Sequence, residues 1–306
     1  MPLTSDSEKT TRRLAMPDTE SGSASVSPAP TVRIEAAGLS DPGKLREVNQ
    51  DSFLIARVGR SMDTLATTLG PADVPERFRE IGYALIVADG MGGAAAGEVA
   101  SRLAIRTLVE IALDVPEWVL RVDDDAAERL LKRTADYYHR VDEVLGQHGL
   151  ADPRLDGMGT TMTMVFSLGA EAFVAHVGDS RAYLLRRGRL QQLTRDHTHV
   201  QRLVDAGTIT RQEAETHALR HVLTNVLGGV DRTVEVDLER FALAEDDRLL
   251  LCSDGLSEVV RDGEIAAELE RHADPADACR ALLDLTLARG APDNVTVLVA
   301  RVTFGA

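Results

Sequence analysis

Four short segments, scattered along the chain, each set a carboxylate beside glycine or asparagine at the end of an apolar run. They are Asn49-Gln50-Asp51, Ala88-Asp89-Gly90-Met91-Gly92-Gly93, Ser253-Asp254-Gly255 and Asp293-Asn294-Val295-Thr296. Three adjoin strand-like stretches. The run from Tyr83 to Ala88 leads into Asp89, the run from Arg248 to Cys252 leads into Asp254, and the run from Val295 to Val299 leaves Asp293. Strand ends that converge would gather these acids at one point. Clustered carboxylates repel one another unless cations hold them, and all-oxygen ligation suits Mg²⁺ or Mn²⁺. The pattern therefore points to a hydrolytic site built around hard metal ions. Glycine after Asp89 and after Asp254 lets the backbone turn tightly and approach a ligand, and the Gly90 carbonyl is itself a candidate oxygen ligand. Asp156, in Asp156-Gly157-Met158-Gly159-Thr160-Thr161, is a further acid just before a strand, and Gly178-Asp179-Ser180-Arg181 reads as a structural turn carrying an Asp–Arg pair.

The elements that must position these acids are legible from periodicity and turn residues. Strands are expected at 32–38, 52–58, 82–88, 160–168, 171–178, 181–186, 233–240, 247–253 and 294–302. Hairpin turns are expected at Ser167–Glu171 and Arg187–Arg189. Helices are expected at 94–113, where Ala100, Leu103, Ala104, Leu108 and Ile111 recur at helical spacing, and at 124–148, 262–272 and 275–289. Strands in runs and helices in pairs predict an α+β fold of two packed antiparallel β-sheets, a β-sandwich flanked by helix pairs, rather than alternating βαβ units. Residues 1–31 are rich in Ser, Thr, Pro and acids and are expected to form a disordered tail ahead of a domain at 32–303. The stretch 59–80 reads as a long surface insertion between two strands.

Composition narrows the function classes. The chain has 306 residues, 44% of them hydrophobic, and 49 acids against 34 bases give a net charge of −15. That balance opposes nucleic acid and anionic membrane surfaces, which need clustered Lys and Arg. The two cysteines, Cys252 and Cys279, form neither a disulfide framework nor a metal-binding pair, and both read as small core residues. With no apolar stretch of membrane-spanning length and no signal-like N-terminus, the expected setting is cytoplasmic.

Taken together, Arg46, Asn49-Gln50-Asp51, Asp89-Gly90-Met91-Gly92-Gly93, Gly159-Thr160-Thr161, Gly178-Asp179-Ser180-Arg181, Ser253-Asp254-Gly255 and Asp293-Asn294 resemble, in order and over residues 32 to 303, the metal-dependent serine/threonine protein phosphatases of type 2C, the PPM family, in their bacterial branch. The resemblance implies two or three Mn²⁺ or Mg²⁺ ions at one edge of the sandwich. Asp89 would bridge two ions, Asp254 and Asp293 would complete the first ion's shell, and the Gly90 carbonyl would serve the second. Asp51 would orient bound water, Asp156 with Asp254 and Glu258 would hold a third ion, and Arg46 would grip the substrate phosphate. The implied reaction is hydrolysis of phosphoserine and phosphothreonine by direct attack of a hydroxide bridging the ions, with no covalent intermediate. Cys252 accordingly carries no nucleophilic role. The resemblance also implies a monomer that acts on phosphorylated proteins, a Ser/Thr kinase and its substrates among them.

Three positions depart from that family's pattern. Gln50 stands where many relatives have Glu, Met91 where animal members have a histidine proposed as general acid, and Asn225 where relatives often have Arg. Asn225 follows a flap at roughly 198–222. His197 reads as structural, and His199, His217 and His221 in the flap read as solvated or local contacts. Two alternatives stay open: a phosphatase dedicated to one regulatory protein, of the sigma-factor antagonist type, and a non-catalytic regulator that keeps the fold and binds a partner.

Overall fold

The computed structural model describes residues 31–70, 73–93, 96–114, 124–229 and 233–305. The expected N-terminal tail, up to residue 30, lies outside them. In chain order the strands are β1 (Thr31–Asp41), β2 (Asp51–Asp63), β3 (Arg77–Met91), β4 (Gly159–Thr160), β5 (Met162–Leu168), β6 (Glu171–Val177), β7 (Arg181–Arg186), β8 (Arg189–Gln192), β9 (Asp237–Ala242), β10 (Arg248–Cys252) and β11 (Val295–Gly305). The helices are α1 (Ala96–Leu113), α2 (Asp124–Ala151), α3 (His199–Asp205), α4 (Arg211–Glu215), α5 (Asp254–Ser257), α6 (Asp262–Arg271) and α7 (Pro275–Ala288).

Two antiparallel sheets form. One has the order β1-β11-β10-β7-β8, and the other β2-β3-β5-β6-β9, with β4 joined to β3. Side-chain alternation sorts three apolar layers. Leu85, Val87, Leu249, Leu251 and Leu298 fill the space between the sheets. Ile86 and Ala88 point the other way, against Ala100, Ala104 and Leu108 of α1 and Tyr138, Val141 and Leu145 of α2. Leu250, Cys252, Val297 and Val299 meet Ile265 and Leu269 of α6 and Leu282 of α7. A strand buried on both faces needs apolar residues at every position, which is why residues 85–88 of β3 and 249–252 of β10 read as unbroken apolar runs. Truncating a fully buried leucine such as Leu250 or Leu251 to alanine costs about 2–5 kcal/mol. The fold is the helix-flanked sandwich expected from the sequence.

The differences lie where strands leave the core. The expected insertion at 59–80 begins and ends as a ribbon: β2 and β3 pair without interruption from Asp51↔Asp89 out to Asp63↔Arg77. Beyond the sandwich this ladder has no buried face, so its scattered apolar residues, Val58, Met62 and Ile81, stay exposed and the stretch reads as loop. The last strand before β10 starts at Asp237 rather than residue 233, and Val234 is buried without joining a ladder. The flap holds two short helices. Thr198 caps α3 by accepting from the Gln201 N–H, and Thr210 with Glu213 closes a capping box on α4. Among the described residues no helix is long and apolar enough to cross a membrane.

Candidate metal centre

The sheets converge at one end on acids from both. Asp51 opens β2 and lies directly opposite Asp89 near the end of β3. Asp254 follows β10 as the first residue of α5, and Asp293 stands two residues before β11. Like charges opposite one another across a ladder are destabilising, so this placement calls for a compensating cation.

Asp51, from the second sheet, is held by the first. Its Oδ2 accepts from Ser253 Oγ at 2.7 Å and from Thr296 Oγ1 at 2.7 Å. No donor reaches its Oδ1, and none reaches Oδ1 of Asp254, although both atoms are buried. Burial pushes the Asp51 carboxyl up to about 6, against the lowering effect of the two hydroxyls. Asp89 is held well above the ordinary carboxylate range by burial and then by the charges of Asp51, Asp254, Asp179 and Asp293. Asp254 is raised in the same way by burial and by Asp179, Glu258, Asp293 and Asp51. Orphaned, buried, mutually repelling carboxylate oxygens are a donor set that fits hard divalent cations.

The glycines serve close approach. A Cβ on Gly90 would sit 2.0 Å from the Gly97 carbonyl oxygen and 2.8 Å from that of Gln50. A Cβ on Gly97 would in turn meet the Gln50 amide and the Gly90 carbonyl oxygen, each at 2.8 Å. Gly97 is thus a requirement of the site that sequence reasoning missed, visible only once α1 is laid against β3. Gly255 plays the same part beside Asn294, whose carbonyl oxygen lies 2.0 Å from its ideal Cβ position.

Several expected residues stand differently. Arg46 Nη2 lies 2.7 Å from Asp293 Oδ2 in a half-exposed ion pair, so the guanidinium engages an acid of the site. The other Asp293 oxygen accepts the Asn294 N–H. Each oxygen of Asp293 thus accepts one hydrogen bond and keeps a lone pair for a cation. Among the described residues, the one trio whose ligand atoms all lie within 4.8 Å of one another is His221, Asp254 and Glu258. Asp156 is exposed at the end of a 3₁₀ turn (Pro153–Leu155) and is not brought into the His221 trio. His221 Nδ1 instead meets Glu258 Oε1 at 2.6 Å, which ties the flap to the metal centre.

The expected Asp179–Arg181 pair does not form. Arg181 pairs with Asp196 through Nε and Nη2, leaving Asp179 buried toward Asp89 and Asp254. Burial, with the charge of Asp196 next, pushes Asp179 up to about 7. Asp179 belongs to the acidic cluster, and only the choice of Arg181's partner reveals it.

The flap's base is pinned by His197. Its Nδ1 accepts from Gly178 N–H at 3.1 Å and from Asn225 Nδ2 at 2.9 Å, and Nε2 donates to Asp237 Oδ2 at 3.1 Å. Asn225 also donates to the Glu235 carbonyl. It turns inward as a packing residue at the position where relatives often have Arg. Cys252 is fully buried and its thiol is pushed up to about 12 by burial, which denies it a thiolate.

Residues 77–289 match the model of the family described as protein phosphatase 2C. The serine/threonine protein phosphatase PstP of Mycobacterium tuberculosis is 43% identical over 218 residues, 71% of this chain. That match covers 40% of PstP, so the chain spans well under two thirds of this relative's length. The serine/threonine phosphatase stp of Listeria monocytogenes is 34% identical over 215 residues, 70% of this chain and 82% of stp. The crystal structure of the PstP catalytic domain in complex with two manganese ions superposes with a TM-score of 0.70 at 36% identity, covering 89% of this chain and 100% of that one. The carboxylate-lined edge and these likenesses agree: the chain belongs to the protein phosphatase 2C family.

Proposed function

We propose that this chain is a protein phosphatase that hydrolyses phosphoserine and phosphothreonine esters with the help of Mn²⁺ or Mg²⁺. The observation that carries the reading is the pair of buried oxygens, Asp51 Oδ1 and Asp254 Oδ1, left without donors among acids that repel one another. Asp89, Asp254, Asp293 and the Gly90 carbonyl would hold two ions. His221 and Glu258 with Asp254 offer a place for a third. Bound divalent ions supply Lewis acidity, which activates water for in-line attack on phosphorus and neutralises the phosphoryl oxygens.

The chain's own residues do the rest. Asp51 fixes the geometry of its neighbours through its paired hydroxyl donors. Arg46 sits at the rim, half-exposed, where a planar guanidinium can take two phosphate oxygens in place of Asp293. Met91 has no proton to give, so the leaving alkoxide takes its proton from solvent. Phosphorylated proteins, including a Ser/Thr kinase that this activity opposes, are the substrates in this reading. Two features support it: the likeness to phosphatases named PstP and stp, and the burial that keeps the Cys252 thiol protonated beside the centre.

The test is hydrolysis of p-nitrophenyl phosphate and of a phosphothreonine peptide with Mn²⁺ and then with chelator, by the wild type and by Asp254→Asn. The expected result is Mn²⁺-dependent turnover that the substitution nearly abolishes. Equal turnover with and without chelator would overturn the metal mechanism. Turnover of the free peptide favours a broad enzyme over one dedicated to a single regulatory protein.

A further inference from the structure

Asp51 lies in a closed ring of hydrogen bonds whose direction is forced. A carboxylate only accepts, so the single hydroxyl proton of Thr296 goes to Asp51 Oδ2, at 2.7 Å. The contact between Ser40 Oγ and Thr296 Oγ1, also 2.7 Å, must then run from Ser40 to Thr296. With its proton committed, Ser40 Oγ accepts from Asn49 Nδ2 at 2.8 Å. The other end of the same amide, Asn49 Oδ1, accepts the N–H of Asp51 itself at 3.1 Å. Outside the ring, Ser253 Oγ gives its proton to the same Asp51 oxygen while accepting the Thr296 N–H at 2.9 Å.

The members come from different elements. Ser40 lies on β1 and Thr296 on β11, both in the first sheet, while Asp51 opens β2 in the second. Thr296 and Ser253 are fully buried. The ring thus welds the two sheets at the site end, and it saturates one oxygen of Asp51 while leaving the other free among the acids.

We infer that Ser40, Asn49 and Thr296 are positioning residues: their one-way ring selects which oxygen of Asp51 faces the metal centre and holds it there. The inference deepens the metal-centre reading proposed above and rests on it. Groups that orient such side chains typically change metal affinity by about 10–100-fold when removed.

The test titrates Mn²⁺ into the full chain and follows free Mn²⁺ by electron paramagnetic resonance, with a metal-free thermal melt for each variant as a check on folding. Thr296→Val keeps the shape and deletes the hydroxyl, and it is expected to weaken Mn²⁺ binding about 10-fold or more. Thr296→Ser keeps the hydroxyl and is expected to restore wild-type binding, which a purely space-filling role for Thr296 would not produce. Ser40→Ala, one link further out, is expected to weaken binding by less, and it carries the test should the valine variant fail to fold. Unchanged Mn²⁺ binding in both Thr296→Val and Ser40→Ala, or serine as damaging as valine at position 296, overturns the ring's role while leaving the metal centre standing. A wild type that binds no Mn²⁺ overturns both readings.

Discussion

Strand β10 is five residues long and carries an aspartate just beyond each end. Asp247, before it, is 1% exposed and fully satisfied. Arg186 grips both its oxygens, through Nε at 2.7 Å and Nη2 at 2.5 Å, and the Ala244 N–H adds a third bond at 2.7 Å. Asp254, after it, faces Asp89, Asp179 and Asp293, is gripped by no arginine fork, and leaves Oδ1 without a donor. One strand thus presents a carboxylate that completes its own neighbourhood and another that waits for a cation from outside. Burial alone does not mark a functional acid, since the more deeply buried of the two is the satisfied one. The missing partner does.

The contrast breaks most visibly at Asp254. Its replacement by Asn is expected to cost turnover about 10³-fold, or about 4 kcal/mol of transition-state stabilisation, measured as Mn²⁺-dependent kcat/KM. Metal-free stability should hold or rise, since one of several repelling charges is gone. Asp247→Asn is expected to behave in the opposite way. It leaves Arg186 without its carboxylate and should cost about 2–4 kcal/mol in denaturant unfolding, near the low end for a buried pair because Arg186 keeps some solvent. Specific activity of the folded fraction should not change.

Acidity sharpens the same comparison. Asp51 and Asp179 have carboxyls raised to about 6 and about 7 in the folded chain, from ordinary values near 3.8. The folded state therefore binds protons more tightly than the unfolded one. The stability these groups contribute is complete below about pH 4 and is lost as pH rises through 6 to 7. His176 works in the other direction. Burial lowers it to about 4, so its contribution is lost as pH falls from about 6.5 toward 4. Two raised carboxyls outweigh the one lowered imidazole, so the metal-free Tm is expected to be highest near about pH 4 and to fall toward pH 8. With saturating Mn²⁺ the fall should vanish or reverse, because the metal takes the deprotonated carboxylates. A metal-free Tm that climbs steadily from pH 5 to 8 would contradict the description of this end of the molecule. The smallest effect is expected at the rim. The Arg46–Asp293 pair is half-exposed and contributes no more than about 1 kcal/mol to stability. Arg46→Ala should raise KM for a phosphopeptide several-fold and leave the melting curve nearly untouched.

Much of this was legible from sequence because the geometry is encoded locally. An acid followed by glycine at the end of an apolar run, as at Asp89 and Asp254, marks a strand end where the backbone turns over a ligand, and the order of such runs gave the two sheets. What stayed hidden depends on contacts between distant segments. Arg181 sits two residues from Asp179, yet Asp196 claims it, and nothing local to Asp179 announces that. The place of His221 beside Glu258 follows from how the flap folds back. Ser40 and Thr296, 256 residues apart, look like ordinary strand hydroxyls until the sheets meet. The ribbon of β2 and β3 was hidden for the opposite reason: with no core to face, the few apolar residues of its outer half, such as Met62 and Phe78, mark no buried face.

That ribbon ties the spacing of the acids to the chain's tolerance of length change. Its ladder is unbroken over the thirteen residues of β2, from Asp51↔Asp89 to Asp63↔Arg77. A single residue inserted in either strand, if not absorbed as a bulge, would turn one of the two acids to the helix side of the sheet. Residues added beyond Asp63 and before Arg77 would leave that alignment intact. Lineages can therefore lengthen or rebuild the outer tip freely, while the stem behind it must keep its count.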